Sequence, residues 1–452
     1  VGDVKTLKIE GLNTEFEGIA RPDNFVVFVP QALPGETVEA KVIEKKKSFA
    51  RAELIRITDK CHYRVEPQCP HYERCGGCDL QHAGYDKSLE LKRKILADNL
   101  KRLGKVEYPE ERIEIIKADN RVHYRNKFIM PVRKGIDGVL KCGAFERGTH
   151  DIIEIPECIV QDATAREVMN YIIEKARAYG IEGYDENSHT GYLRALGYRV
   201  EKRTKKVMIY FVTTRNDSEP LKKLLDDIDF RFGSIASVYM NVNPERGNLL
   251  LGSENVLLSG KEYLDMYLGK AMYRIAPNTF FQVNSEMAEK MFNKVIALLP
   301  FERWEVVWDL YAGVGAISFF LASEFKRIHM IEKEPESIRM AGIMKNINFA
   351  DNVSVIEGDL DSLDLADIEK PGVVIMDPPR KGVSVNVIET LKKMRPGKII
   401  MISCNSTTLA RDLERLKDDY KVKKIYMADM FPLTRHIESI TMLERIGGED
   451  EE

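Results

Sequence analysis

The chain has 452 residues, 44% of them hydrophobic, and its 68 basic and 71 acidic side chains leave a net charge of −3. That length allows roughly two to four domains with separate cores, while the charge balance excludes a protein that coats polyanions through bulk positive charge. No apolar run reaches the roughly 18 residues needed to span a bilayer, and the start Val-Gly-Asp-Val-Lys-Thr lacks a signal-peptide pattern, so a cytoplasmic protein is expected.

Residues 1–58 read as β-structure. Short β-type runs at 4–9, 17–20, 25–29, 37–44 and 49–57 are separated by turn chemistry such as Arg21-Pro22-Asp23-Asn24 and Leu33-Pro34-Gly35-Glu36. Five short strands suit a small closed barrel of the oligonucleotide-binding type. The pieces Gly18-Ile19-Ala20-Arg21, Val27-Phe28-Val29-Pro30 and Ala32-Leu33-Pro34-Gly35-Glu36 resemble a TRAM domain, which implies RNA binding.

Seven cysteines stand at 61, 69, 75, 78, 142, 158 and 404. An odd number, unevenly spaced and without a signal peptide, argues for metal binding or catalysis over a disulfide framework. Cys69, Cys75 and Cys78, with Cys158 downstream, supply four soft ligands, and Gly76-Gly77 lets the loop wrap tightly. That spacing permits structural zinc or a four-iron cluster with a distant fourth cysteine. Cys142 competes for the fourth place, and Cys61 is a spare.

A helix is expected over 86–104, with Leu89, Ile95, Leu96, Leu100 and Leu103 on one face and lysines and arginines on the other. Strands at 127–133, 207–212 and 237–243 and a helix near 165–179 make the middle region α+β. His123-Tyr124-Arg125-Asn126-Lys127-Phe128 supplies groups suited to phosphate. From about 266 the pattern alternates strand and helix, with strands expected at 305–310, 327–332, 353–358, 372–376, 398–402, 422–428 and 437–443. Such alternation calls for a mostly parallel sheet covered on both faces, and the last strand should return antiparallel. An acidic tail, 449–452, is expected to fray.

Trp308-Asp309-Leu310-Tyr311-Ala312-Gly313-Val314-Gly315-Ala316 follows a strand and opens a helix. The third glycine of a dinucleotide fingerprint is missing. Glu332 ends the next strand, where a carboxylate can bind both ribose hydroxyls, and Asp359 ends the third. These strand ends describe an adenosine pocket with no demand for phosphate, which suits S-adenosylmethionine better than a dinucleotide.

Asp377-Pro378-Pro379-Arg380, Ser403-Cys404-Asn405-Ser406 and Phe431-Pro432-Leu433-Thr434-Arg435-His436-Ile437-Glu438 together resemble the active site of the RNA 5-methyluridine methyltransferase family. Pro277-Asn278-Thr279-Phe280-Phe281-Gln282-Val283-Asn284 resembles that family's Phe-Phe-Gln-x-Asn segment. The resemblance implies that Gln282, Tyr311, Glu332 and Asp377 line the cofactor cleft, with Asp359 a lesser member. It implies Cys404 as nucleophile and Glu438 as general base. The chain departs from many relatives at Ala316, where they carry asparagine. Arginine after the two prolines, where amino-directed methyltransferases place an aromatic, suits a pyrimidine-carbon enzyme. The chemistry needs such a set, because carbon 5 of uracil becomes nucleophilic only after a thiolate adds to carbon 6, and the carbon-5 proton must then be removed.

The string from Cys69 to His82 resembles the iron–sulfur segment of the family's 23S rRNA members, which implies a [4Fe-4S] cluster on Cys69, Cys75, Cys78 and Cys158. The expected fold class is α/β: a Rossmann-like seven-stranded methyltransferase domain over 266–447, a TRAM-like barrel over 1–58, and a central α+β domain over 59–265 carrying the cluster. The expected function is methylation of uridine carbon 5 in RNA with S-adenosyl-L-methionine, in 23S rRNA before tRNA, by a monomer without a membrane partner. A non-catalytic iron–sulfur RNA-binding protein with a relict fold is the alternative.

Overall fold

A computed structural model describes residues 2–247, 249–299 and 306–447. The tail at 449–452 and the first residue of the strand expected at 305–310 lie outside the described residues.

In the amino-terminal region alternate side chains turn inward, and Leu7, Val27, Val29, Val38, Ala40, Val42, Ala50 and Ala52 share one buried cluster. Among the described residues six strands, not five, form this sheet. Their order is Val4–Lys8, Thr37–Lys45, Phe49–Asp59, Val26–Val29, Gly18–Ala20, Gly11–Leu12. The first and last in that order are consecutive pieces of one segment, so the chain carries one edge of the sheet round to the other, as in a small barrel. The extra strand is two residues long, too short for its alternation to show in sequence. Arg64 fastens the barrel to the cysteine-bearing segment: its guanidinium donates to both oxygens of the fully buried Glu36 at 2.6 and 2.8 Å.

The central sheet has six strands among the described residues, in the order Glu254–Gly260, Ile235–Val242, Val207–Thr213, Leu193–Val200, Lys127–Lys134, Leu140–Cys142. Helix Ala163–Ala178 covers one face through Val168, Met169 and Ile172. The other face, with Ala195, Met208 and Tyr210, joins the core of the carboxy-terminal region. Strand Leu193–Val200 is buried at every position and was not expected, because two arginines and a glycine interrupt its apolar run. Gly197 is required there: a Cβ would stand 2.0 Å from the Tyr210 ring.

The carboxy-terminal sheet has eight strands among the described residues: Val353–Glu357, Arg327–Glu332, Val306–Leu310, Val373–Met376, Lys398–Ser403, Glu438–Arg445, Tyr420–Ala428 and Glu114–Ile116. The first five run parallel, and Glu438–Arg445 returns antiparallel beside Lys398–Ser403. Both faces are covered. Val307, Ile328 and Ile375 belong to one core, and Val306, Trp308, Leu310 and Val374 to the other. The eighth strand, Glu114–Ile116, comes from the stretch assigned by sequence to the central domain. Helix Tyr85–Gly104 also packs here, on helix Ser406–Leu416, so closely that a Cβ on Gly104 would lie 2.8 Å from the Ala410 carbonyl oxygen. On that helix Leu103 is 49% exposed and Lys92 only 2%, the reverse of the expected faces. Lys92 is drawn inward by Asp429, 2.9 Å from its Nζ. Among the described residues no helix is long and apolar enough to cross a membrane.

Candidate active site

The register of the carboxy-terminal sheet sets which polar residues meet. Leu310 pairs with Ile331 and Met376 on its two sides, Met376 with Met401, and Ser403 with Ser439. Tyr311, Glu332, Asp377 and Cys404 therefore emerge at the same edge, where open α/β sheets bind ligands. One step beyond the Ser403–Ser439 pair, Cys404 stands against Glu438. Gln282 arrives from the segment before helix Ser285–Leu298, and its Nε2 donates to Asp377 Oδ2 at 3.3 Å. All seven residues expected in the catalytic and cofactor sites (Gln282, Tyr311, Glu332, Asp359, Asp377, Cys404 and Glu438) line a single cavity of about 690 Å³.

The turn after Val306–Leu310 is wound in left-handed backbone, with φ of 61° at Tyr311, 57° at Gly313 and 78° at Gly315. A side chain at Gly315 would meet the Phe319 ring at 2.6 Å, so the glycine is needed for space as well as for conformation. The turn presents the Gly313 N–H to Glu332 Oε2 at 2.8 Å, while the N–H groups of Lys333 and Glu334 donate to Oε1 at 2.9 Å. Glu332 is thereby fixed at its strand end. Asp359 accepts from the Asp361 N–H at 3.0 Å and lies 3.4 Å from Lys333 Nζ. That backbone bond, seconded by Lys333, holds its carboxyl below the usual range. These groups fit an adenosyl ligand: a carboxylate at the height of a ribose and a glycine turn permitting close approach.

Burial governs the titration of the groups at the Cys404 end of the cavity. Burial pushes Asp377 up to about 7. Burial, reinforced by the charge of Asp377 and opposed by Arg380, raises Glu438 well above the ordinary carboxyl. Cys404 is pushed up to about 11, first by burial, then by Glu438 and Asp377, again with Arg380 opposing. Asn405 caps the following helix, its side chain accepting from the Thr407 N–H at 3.0 Å, and donates to the Arg380 carbonyl at 3.2 Å. Arg380 is thus tied to the turn that carries the cysteine.

Cys69, Cys75, Cys78 and Cys158 line a second cavity, of about 130 Å³. Cys142 is instead buried in the central core, and Cys61 lies 3.5 Å from Glu36 Oε1 at the barrel junction. Among the described residues no three His, Cys, Asp or Glu side chains are disposed to hold a metal ion. Gln81 lines the cysteine cavity and keeps a buried Nε2 without an acceptor. Arg147 donates to the carbonyls of Cys75 and Cys78 at 3.1 and 2.8 Å. Arg125 lines both cavities, its guanidinium 5.9 Å from each of the Phe128 and Phe431 rings. Sequence reasoning singled out the segment around Arg125 but could not place it between the two sites. It missed Gln81, Arg147 and the Lys92–Asp429 pair, which carry no local pattern.

Residues 84–446 match the family model of the tRNA (uracil-5-)-methyltransferases, and residues 1–55 that of the TRAM domain. Over 446 residues the chain is 35% identical to an uncharacterized RNA methyltransferase of Halalkalibacterium halodurans, covering 98% of this chain and 97% of that one. Over 449 residues it is 36% identical to an uncharacterized RNA methyltransferase of Clostridium tetani, covering 98% and 96%. A solved structure of Pyrococcus abyssi tRNA (uracil-54, C5)-methyltransferase, in complex with S-adenosyl-L-homocysteine, superposes with a TM-score of 0.78. It is 28% identical, over 97% of this chain and 100% of that one. With the family model matched along the whole carboxy-terminal sheet and relatives more than a third identical over nearly the full length, this protein belongs to the tRNA (uracil-5-)-methyltransferase family, enzymes that methylate uracil carbon 5 in RNA with S-adenosylmethionine, and carries a TRAM domain at its amino-terminal end.

Proposed function

We propose that the chain methylates uridine carbon 5 in folded RNA through a covalent adduct between Cys404 and carbon 6. The observation that carries this reading is the antiparallel register that sets Cys404 against Glu438 at the edge where Asp377, Tyr311 and Glu332 also emerge. Glu332, Tyr311, Gln282 and Asp359 would hold S-adenosylmethionine, which supplies an electrophilic methyl group. Cys404 forms a bond from Sγ to carbon 6, and the electron pair of the 5,6 double bond moves to carbon 5 and oxygen 4. Asp377 orients the pyrimidine edge, and Arg380 supports negative charge beside the thiolate. Once carbon 5 carries the methyl, Glu438 takes its proton, the sulfur–carbon bond breaks, and the double bond re-forms. A cleft this deeply set requires the base to be flipped out of its helix.

For the RNA, the Cys69–His82 string supports 23S rRNA. The likeness to the Pyrococcus abyssi enzyme, which extends over that whole chain, supports tRNA. Methyl transfer from labelled S-adenosylmethionine into unmodified 23S rRNA and tRNA transcripts, followed by mapping of 5-methyluridine, decides between them. Binding of the cofactor without transfer to either would favour the relict fold. Glu438→Gln should trap methylated RNA on Cys404 as a denaturant-stable adduct, and continued turnover without an adduct would remove Glu438 as base.

We read the four-cysteine cavity as the seat of a [4Fe-4S] cluster. Structural zinc holds four sulfurs at about 2.3 Å from a single ion, and here the four cysteines line a cavity of about 130 Å³. A cluster spreads its ligands more widely, and the unpaired Gln81 N–H is a donor suited to a cluster sulfide. The methyl transfer itself needs no electron, so the cluster would organise its loop. Anaerobically purified protein should be brown with about four irons per chain; stoichiometric zinc without iron would end this reading.

A further inference from the structure

The segment that delivers Glu438 is gripped from outside its own sheet. Between strands Tyr420–Ala428 and Glu438–Arg445 the chain turns at Leu433 with φ of 67°, left-handed backbone that a leucine keeps only when neighbours hold it. The neighbour is the cysteine loop. The N–H groups of Asp79 and Leu80 both donate to the Leu433 carbonyl, at 3.1 and 3.0 Å. The Asp79 carboxylate reaches further along and accepts from the Arg435 N–H at 3.2 Å. Its other oxygen lies 3.8 Å from the Arg435 guanidinium and 3.5 Å from that of Arg147. Arg147 is the same side chain that donates to the Cys75 and Cys78 carbonyls. Three residues beyond Arg435 stands Glu438, and the N–H of the intervening His436 donates to Thr434 Oγ1 at 3.3 Å. A chain of short contacts thus runs from the cysteine loop into the backbone that sets where Glu438 begins.

We propose that Asp79 is a positioning residue for Glu438, through which the cysteine loop braces the Leu433–Arg435 turn. It touches neither substrate nor reacting atoms. The inference rests on the reading of Glu438 as the base, and it makes a particular demand. Loosening the brace should slow removal of the carbon-5 proton while leaving addition of Cys404 intact, because Cys404 is mounted on a different strand, Lys398–Ser403.

Asp79→Ala should therefore lower kcat by about 100-fold, the effect of an ångström-scale misplacement. It should leave S-adenosylhomocysteine affinity unchanged and accumulate a denaturant-stable RNA–protein adduct in single turnover, which a general loss of structure would not produce. Asp79→Asn keeps an acceptor for the Arg435 N–H and the side-chain volume, so it should recover much of kcat and show less adduct. It also serves as the reading if the alanine variant does not fold. Glu438→Gln, run in parallel, separates the two claims. Adduct in Glu438→Gln but none in either Asp79 variant overturns the brace alone. No adduct in Glu438→Gln overturns the base assignment beneath it. A wild-type kcat in Asp79→Ala would also overturn the brace.

Discussion

The two cysteine-bearing cavities are built on opposite principles. In the cleft, Tyr311, Asp377 and Cys404 each follow directly on a parallel strand, Glu332 ends one, and Glu438 opens the returning one. Their relative positions come from the backbone ladder of the sheet, which forms whatever the cavity holds. In the other cavity Cys69, Cys75 and Cys78 sit on a loop between strand Phe49–Asp59 and helix Tyr85–Gly104, and Cys158 follows the two-residue strand Ile152–Ile153. That loop is held by side chains, Arg147 on the Cys75 and Cys78 carbonyls and Gln81 on the Cys69 N–H. The first site should tolerate loss of a side chain structurally and fail chemically; the second should do the reverse.

The largest effect expected is at the cleft. Cys404→Ala should reduce methyl incorporation by about 10⁴-fold or more, since among the described residues Cys404 is the one thiol lining the cleft. Its melting temperature should remain near wild type, because the sheet and not the thiol sets the position. Retained turnover in this variant would break the contrast outright. Lys92→Met comes next. The pair with Asp429 is buried on both sides, 2% and 1% exposed, and leaving Asp429 without its cation should cost about 3–5 kcal/mol of stability. A denaturant titration measures it, and a loss below about 1 kcal/mol would mean water enters this junction. At the loop site, Cys78→Ser should abolish bound iron, as measured by colorimetric assay, and lower the melting temperature. Affinity for S-adenosylhomocysteine should hold, because the carboxy-terminal sheet and not the cysteine loop sets Tyr311, Glu332 and Asp377. If cofactor affinity fell in step with iron, the two sites would not be independently built.

The same contrast governs what could be read from sequence. Glu332 and Cys404 were legible because a polar residue at the end of an apolar strand is a local signal. Register then did what periodicity implied, and the antiparallel return of the last strand set Glu438 against Cys404. Strand Glu114–Ile116 was not legible, since three residues carry no period and their partner lies over 300 positions away. Leu193–Val200 was hidden by Arg194 and Arg199, both buried, the second donating to the Thr279 carbonyl at 2.6 Å. A buried arginine reads as surface until its partner is known. Leu103 and Lys92 exchanged their expected faces for the same reason: Asp429, 337 positions on, decides which way the lysine turns.

The smallest effect distinguishes ionisation from packing in the cleft. Asp377 titrates at about 7 in the folded protein against 3.8 for the free side chain, and burial is the cause. A carboxyl raised in this way favours the folded state fully below pH ~4, and that contribution is lost as pH rises through about 7, where the folded protein must carry a buried charge. Asp377→Asn cannot ionise and so escapes the loss. It should melt within a degree or so of wild type at pH 4, yet several degrees higher at pH 8, while losing activity at both. Catalysis runs the other way in the wild type. Cys404, pushed up to about 11, and Glu438, raised well above the ordinary carboxyl, must both lose protons, so kcat should climb from pH 6 to pH 9 as stability declines. Equal melting shifts at the two pH values would show that the asparagine acts through hydrogen bonding to Gln282 and not through charge. The cleft would then be wetter than its burial implies.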